Sequence, residues 1–427
     1  LDATPEPSCA GARSTLKRSC ANVANDDVRS LPARRIVAHI ADAATRWGNA
    51  DFPPRVRVAS AVQERLGYSV PVVEYALDRL FFGITEAALE LAIVSELGSL
   101  EALDGVVARG DAPPAWARGV SNSVIVSSDS TIGVALVPAL FALCAKSRVV
   151  VKDRSDALAA AFFASLAEEH PAFAGAARAS AWTGGADAGE DAFFADADTV
   201  VAFGRDDTLA SIRGRCGLET RFVPFGHRAS IGRLSAAGVA ALDDERADAI
   251  VRDALLYDGE GCLSLHAMFV TARGDAFAAV ADRLAWACER AALEFPAGRR
   301  SAERAAALGG YRSLARFRAA SGDTLLVERG DALLVETLPD VAPPLLPGVI
   351  PLIAIDSDDD VASYVAAHRL PVQAVGVDIV DATAIALTAR IGAVRTCLFG
   401  TMQDPPAAGH HGGEPRIAPF VRWIDAR

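Results

Sequence analysis

Apolar positions along this chain fall in short β-branched runs separated by longer Ala-rich stretches. "NSVIVSS" (122–128) reads as a buried strand. "TIGVALVPALFALCAK" (131–146) reads as a helix in which Pro138 is expected to place a kink. "RVVVK" (148–152) is a strand and "DALAAAFFASLAEEH" (156–170) a helix that stops at Pro171. "DTVVAFG" (198–204) is a strand running straight into the acid-led helix start "RDDTLASIRGRC", and "TRFVPFG" (220–226) is the next strand. This βαβα alternation predicts a mostly parallel, doubly wound α/β sheet.

A second α/β unit begins near residue 230. A helix over roughly 236–256 leads into "YDGEGCLSLHAMFV" (257–270), whose "AMFVT" continuation (267–271) is a strand. An amphipathic helix over 275–293 follows, and then strands at 324–328, 332–336, 349–355, 373–379 and 394–399. The Pro-rich stretch 339–348 is a loop. Residues 1–30 are polar and small, and no fixed structure is expected of them. The expected division is therefore 1–30, 31–228, 229–399 and a tail, 400–427, too rich in Gly and Pro for regular core structure until "FVRWI" (420–424).

Composition narrows the class. The chain has 427 residues, 51% apolar and 22% charged, enough for two or three domains with full cores. A net charge of −12 argues against a nucleic-acid footprint, though not against a local basic pocket for a phosphorylated ligand. Seven cysteines, widely spaced and with no C-x-x-C pair, indicate neither a disulfide framework nor a zinc site, and fit a reducing cytoplasm. No apolar run reaches the ~18 residues of a membrane helix, and no signal-peptide core is present. The first residue is Leu1, so the true start is expected to be missing or removed.

Three positions carry candidate chemistry. Lys152 ends a strand at the carboxyl side of the sheet, where open α/β sheets bind ligands. Gly204 sits at a strand-to-helix turn, where phosphate can approach free helix N–H groups. Cys262 is flanked by Gly259 and Gly261, so a substrate can approach its sulfur and a backbone N–H can point at a growing oxyanion. Each also has a plainer reading: a solvated lysine, an ordinary turn glycine, a small buried hydrophobe.

Their order changes the picture. A lysine-ended strand, a strand–glycine–helix turn and a glycine-flanked cysteine, in that sequence, resemble the aldehyde dehydrogenase superfamily. "FGHRASIG" (225–232), "DGEGCLS" (258–264) and "HHGGEPR" (410–416) together resemble the acyl-CoA reductases of the bacterial bioluminescence fatty-acid reductase type. The resemblance implies two doubly wound α/β domains, 31–228 binding a dinucleotide and 229–399 carrying the catalytic cysteine, with the active site in the cleft between them. It implies Cys262 as the thiol nucleophile, Lys152 on the adenosine ribose, Gly204 at the pyrophosphate and Glu336 on the nicotinamide ribose. It also implies an acyl-CoA or acyl-carrier substrate, an acyl-activating or acyl-transferring partner protein and a homo-oligomer, with the tail 400–427 returning to the first domain or to a partner subunit through "FVRWI", whose plainer reading is an ordinary buried terminal strand.

Departures from the family pattern sharpen the expectation. Pro224 falls where hydrolytic relatives carry the acid that activates water, so an acyl group on Cys262 is expected to wait for hydride or another thiol. Ser155 replaces an acid that would repel a 2′-phosphate, and with Arg154 and Lys152 nearby this favours NADPH, with NADH as the other option. Asp129 stands where an asparagine amide is expected to donate to the oxyanion, and an ionised carboxylate there would repel it. His227, in "FGHR", either protonates the oxygen or lowers the Cys262 pKa, or is a structural histidine. His266 reads as core. The adjacent His410 and His411 have no third ligand nearby, so no metal is expected, and they are read as shaping the substrate entrance or a subunit contact. Two other functions stay open: an impaired paralogue that binds or scaffolds acyl carriers, and a cysteine acyltransferase without redox chemistry.

Overall fold

The computed structural model describes residues 27–128, 131–153, 157–181 and 190–426. Two parallel sheets organise the chain. The first runs Ala177–Ser180, Arg148–Lys152, Asn122–Val126, Thr199–Phe203, Arg221–Phe225, every neighbouring pair parallel. Chain order reverses between Asn122–Val126 and Thr199–Phe203, so the crevice for a ligand opens beyond Val126 and Phe203. All five residues of Thr199–Phe203 are buried, as expected of a strand covered on both faces.

The second sheet has seven strands in the order Leu326–Arg329, Ala332–Glu336, Val349–Ala354, Leu265–Val270, Ala229–Leu234, Val372–Val377, Arg395–Leu398. Only the first pair is antiparallel, a hairpin turning at Gly330 with φ +55°. The third sheet joins Val107–Arg109, Ala112–Gly119 and the C-terminal strand Val421–Asp425. The tail thus returns to a strand of its own chain. Glu96 anchors that return by accepting the amides of Arg416, Ile417 and Ala418 at 2.6–2.9 Å.

Several expectations need correction. Residues 27–30 are ordered: Val28–Ser30 form a 3-10 turn capped by Asp27, and Val28 is fully buried. The helix expected from 131 begins at Leu136, after a turn through Gly133 at φ +71°. Pro138 therefore lies in its first turn, where a missing N–H costs nothing, and makes no kink. The helix expected over 236–256 is two, Ala236–Ala240 and Asp244–Leu255, because Ser235 and Asp243 each cap a new start. Four helices between Ala33 and Leu97, not foreseen, pack into the core of the first sheet. No helix among the described residues is long and apolar enough to cross a membrane.

Candidate active site

Cys262 sits in a turn just before the strand Leu265–Val270. The chain reaches it through three successive left-handed residues, Tyr257, Asp258 and Gly259, with φ of 59°, 55° and 72°. Two of these carry side chains that disfavour the conformation, so the turn stores strain that surrounding contacts must hold. The Asp258 carboxylate accepts the Gly298 amide at 3.1 Å, and Ser230 Oγ donates to the Cys262 carbonyl at 2.7 Å. Gln403 Nε2 donates to Ser264 Oγ at 3.0 Å and to the Asp253 carbonyl at 3.2 Å. The buried Asp253 carboxylate accepts the amides of Gly400 at 2.6 Å and Met402 at 3.1 Å. The cysteine turn and the segment 400–404 are therefore fastened together.

Two cavities meet at this turn. The larger, about 900 Å³, lies between the carboxyl ends of the first sheet and the amino ends of the second. Ser127, Lys152 and Gly204 line it from the first, Cys262, His266 and Gln373 from the second, and Gly226 and His227 from the link between the two sheets. Among its described residues are five cationic side chains, Lys152, Arg205, Arg215, Arg228 and Arg304, against two acids, Asp207 and Glu260. A diphosphate fits this excess of positive charge. The smaller cavity, about 500 Å³, is walled by Leu80, Phe82, Ile132, Val137, Phe141, Leu263 and Val394, with Arg79, Arg395 and Asp404 among its polar residues. Cys262 lines both.

Electrostatics separate the roles. Burial raises the Cys262 thiol above its ordinary value, opposed by the backbone amides of Cys262 and Leu263. The opposing influence is thus backbone, and the charge of His227 falls instead on His266. Burial first, then His227, brings His266 down to about 4, and Ser230 N–H donates to its Nδ1 at 3.2 Å. His266 is a cleft residue as well as a strand residue. The His411 ring packs 4.5 Å from Phe225 and 5.5 Å from Phe203, and burial, with Arg416 beside it, brings it to about 4.

Both histidines bind protons near 6.5 once unfolded, so the unfolded chain takes up protons between pH 6.5 and 4 that the folded one refuses. Their contribution is present above 6.5 and is lost as pH falls toward 4. His411→Phe, which keeps the ring packing, is expected to lessen the drop in urea midpoint between pH 7 and pH 5. An unchanged drop would contradict a buried neutral His411.

The remaining sequence candidates scatter. Asp129, Arg154 and Ser155 lie outside the described residues. Glu336 is not brought to the cleft. Its carboxylate accepts the Leu325 amide at 3.1 Å beside a separate small pocket lined by Tyr311 and Arg318, because the hairpin folds Leu325 back on it. Pro224 lines neither cavity and sits on the edge strand Arg221–Phe225, where a residue without an N–H is tolerated. Sequence reading missed Glu260, Arg304 and Gln373. Glu260, two residues before the thiol, carried the nearest available signal.

Each acid that lines the two cavities among the described residues is paired with an arginine: Asp207 with Arg205 at 3.0 Å, Glu260 with Arg304 at 2.5 Å, Asp404 with Arg79 at 2.7 Å. No unpaired carboxylate base therefore faces the thiol from these residues.

Known proteins agree with this architecture. The family model described as "Acyl-CoA reductase (LuxC)" matches residues 28–423. No curated protein sequence matches the chain. Among solved structures, the fold is similar to a gamma-glutamyl-gamma-aminobutyraldehyde dehydrogenase from Burkholderia cenocepacia, with TM-score 0.70 and 16% identity over 93% of this chain and 84% of that one. It is also similar to an NAD-dependent benzaldehyde dehydrogenase from Corynebacterium glutamicum, with TM-score 0.67 and 15% identity over 93% and 86%. The fold is that of the aldehyde dehydrogenases.

Proposed function

Because the chain belongs to the LuxC family of acyl-CoA reductases, we propose that it reduces an acyl thioester to the aldehyde with NADPH, through an acyl group held on Cys262. The observation that carries this reading is that one thiol stands where a cation-lined cleft and an apolar cavity meet. Each cavity suits one substrate. An acyl chain buries its methylenes against Leu80, Phe82, Ile132 and Phe141. A dinucleotide diphosphate meets Lys152, the turn at Gly204 and the arginines around it.

The residues then act in order. Cys262 Sγ attacks the thioester carbonyl, forming the S–C bond while the carrier sulfur departs, and the thiol proton ends on that departing sulfur. The acyl group is left on Cys262 as a new thioester. When bound in the larger cleft, the cofactor supplies a hydride to that carbonyl carbon. Cys262 is released as the carbon–sulfur bond breaks and the aldehyde forms, and a proton restores the thiol. His227, which lines the same cleft, serves in this reading as a donor to the carbonyl oxygen. The arginine-paired acids leave water without an activated attack, which favours reduction over hydrolysis.

NADPH is the favoured carrier because Ser155 and Arg154 offer no acid against a 2′-phosphate; NADH remains the second option. The carrier thiol is CoA or a phosphopantetheine arm, and delivery by an acyl-transferring partner protein belongs to the same reading. So does a homo-oligomer.

The test is stoichiometric. Acyl-CoA with NADPH should yield aldehyde, free CoA thiol and oxidised cofactor in equal amounts. Thiol release with no NADPH consumption would support an acyltransferase, and no release an impaired binding paralogue. Lys152→Met is expected to raise KM for NADPH about tenfold or more, the worth of a charge-assisted hydrogen bond. Cys262 acylation without cofactor should stay within about twofold. An unchanged KM would remove Lys152 from the cofactor site.

A further inference from the structure

Two β-bulges lie side by side in the larger sheet, and both face the cleft. Between Ala229–Leu234 and Leu265–Val270 the register steps from Ser230↔Leu265 to Ile231↔Ala267, so His266 has no opposite residue. Between Val372–Val377 and Ala229–Leu234 it steps from Val372↔Ala229 to Ala374↔Ser230, so Gln373 has none. Bulges are rare in parallel pairs, and beside active sites they re-aim a side chain. Both extra residues line the cation-lined cleft, and Gln373 lines the apolar cavity too.

Five described residues line both cavities: Thr131, Val134, Cys262, Gln373 and His411. Val134 has no polar group, and the His411 ring is packed against Phe225. Thr131 offers a rotating hydroxyl that accepts as readily as it donates, whereas the Gln373 amide nitrogen carries two donors. The Gln373 side chain has no hydrogen-bond partner among the described residues, while its backbone carbonyl is taken by the Val394 amide at 3.0 Å. Ser230, its neighbour across the bulge, holds the Cys262 carbonyl, so the bulge and the thiol share one support.

We propose that the Gln373 carboxamide donates a hydrogen bond to the carbonyl oxygen of the acyl thioester, and to the oxyanion that grows there as Cys262 attacks. The inference rests on the cysteine acyl-transfer reading above. It supplies the donor that Asp129, when ionised, cannot. A neutral amide does this at every pH, and its strength rises with the charge on the oxygen, which is what accelerates the step.

The test measures single-turnover acylation of Cys262 by acyl-CoA, with iodoacetamide alkylation of the same thiol as the control, since alkylation builds no oxyanion. Gln373→Leu should slow acylation about 100-fold, the effect of removing one such donor, and leave alkylation within about twofold. Gln373→Glu should be slow at pH 8. Relative to wild type it should recover toward pH 5, where a protonated carboxyl donates again. Acylation of both variants at the wild-type rate overturns the proposal, as does an equal loss in acylation and alkylation. A wild-type chain that accepts no acyl group overturns the parent reading and this one with it. A wild-type chain that does, beside an undiminished Gln373→Leu, overturns this one alone.

Discussion

Replacing Cys262 with alanine is expected to abolish acyl transfer to the protein and to lower aldehyde formation by about 10⁴-fold or more, the scale on which a covalent nucleophile is missed. Other described cysteines cannot substitute. Cys144, Cys288 and Cys397 are buried, and Cys216 lines neither cavity. The raised pKa of Cys262 gives the loss a distinct character. The resting sulfur is a thiol, so wild-type acylation should accelerate as pH rises, whereas the residual rate of the alanine variant should not follow that curve. Intact-mass measurement after incubation with acyl-CoA decides it. An alanine variant that still gains the acyl mass would place the nucleophile elsewhere.

The second large effect is structural and reaches the thiol from behind. Asp253→Ala should cost about 3 kcal/mol or more, because the amides of Gly400 and Met402 both lose their acceptor in a buried place. Burial brings the Asp253 carboxyl up to about 7 from an ordinary 3.8. Its folded-state preference for the protonated form is fully present below pH 4 and lost as pH rises through 7. The damage of the alanine change should therefore be read at fixed pH. The segment 400–404 also carries Gln403, which holds Ser264 two residues from the thiol. Loosening it should slow acylation as well as lower the urea midpoint. A variant as stable and as quickly acylated as wild type would mean the clamp supports nothing.

Much of the architecture was legible because parallel strands covered on both faces are uninterrupted apolar runs. Arg148–Lys152 and Thr199–Phe203 stand where such runs were read. Element ends were less legible. Pro138 carries the same letter whether it kinks a helix or opens one, and the turn at Gly133 decides between them. The candidate site was legible, as a grouping of residues, where chemistry follows chain order. Cys262, Lys152, Gly204 and His227 fall around one cleft. It was illegible where tertiary register decides. Gln373 looks like one polar residue in a strand, and only the mismatch with Ala229 and Ser230 marks it as the extra residue of a bulge at the cleft that Cys262 also lines. Glu336 shows the converse: a strand-end carboxylate was carried over from the resemblance on a single residue of the local pattern, and the hairpin engages it with the Leu325 amide. Charge pairing was equally hidden, since Glu260 and Arg304 lie far apart along the chain and meet only once it is folded.

A pulse and chase on the wild-type chain tests the central idea most directly. The protein is first exposed to acyl-CoA without cofactor, freed of excess substrate, and then given NADPH while the mass of the peptide bearing Cys262 is followed. One acyl group should be gained in the pulse and leave in the chase as aldehyde, in step with cofactor oxidation and with little free acid. A peptide that stays unmodified, or one whose acyl group departs as acid at the same rate whether or not NADPH is added, would contradict it.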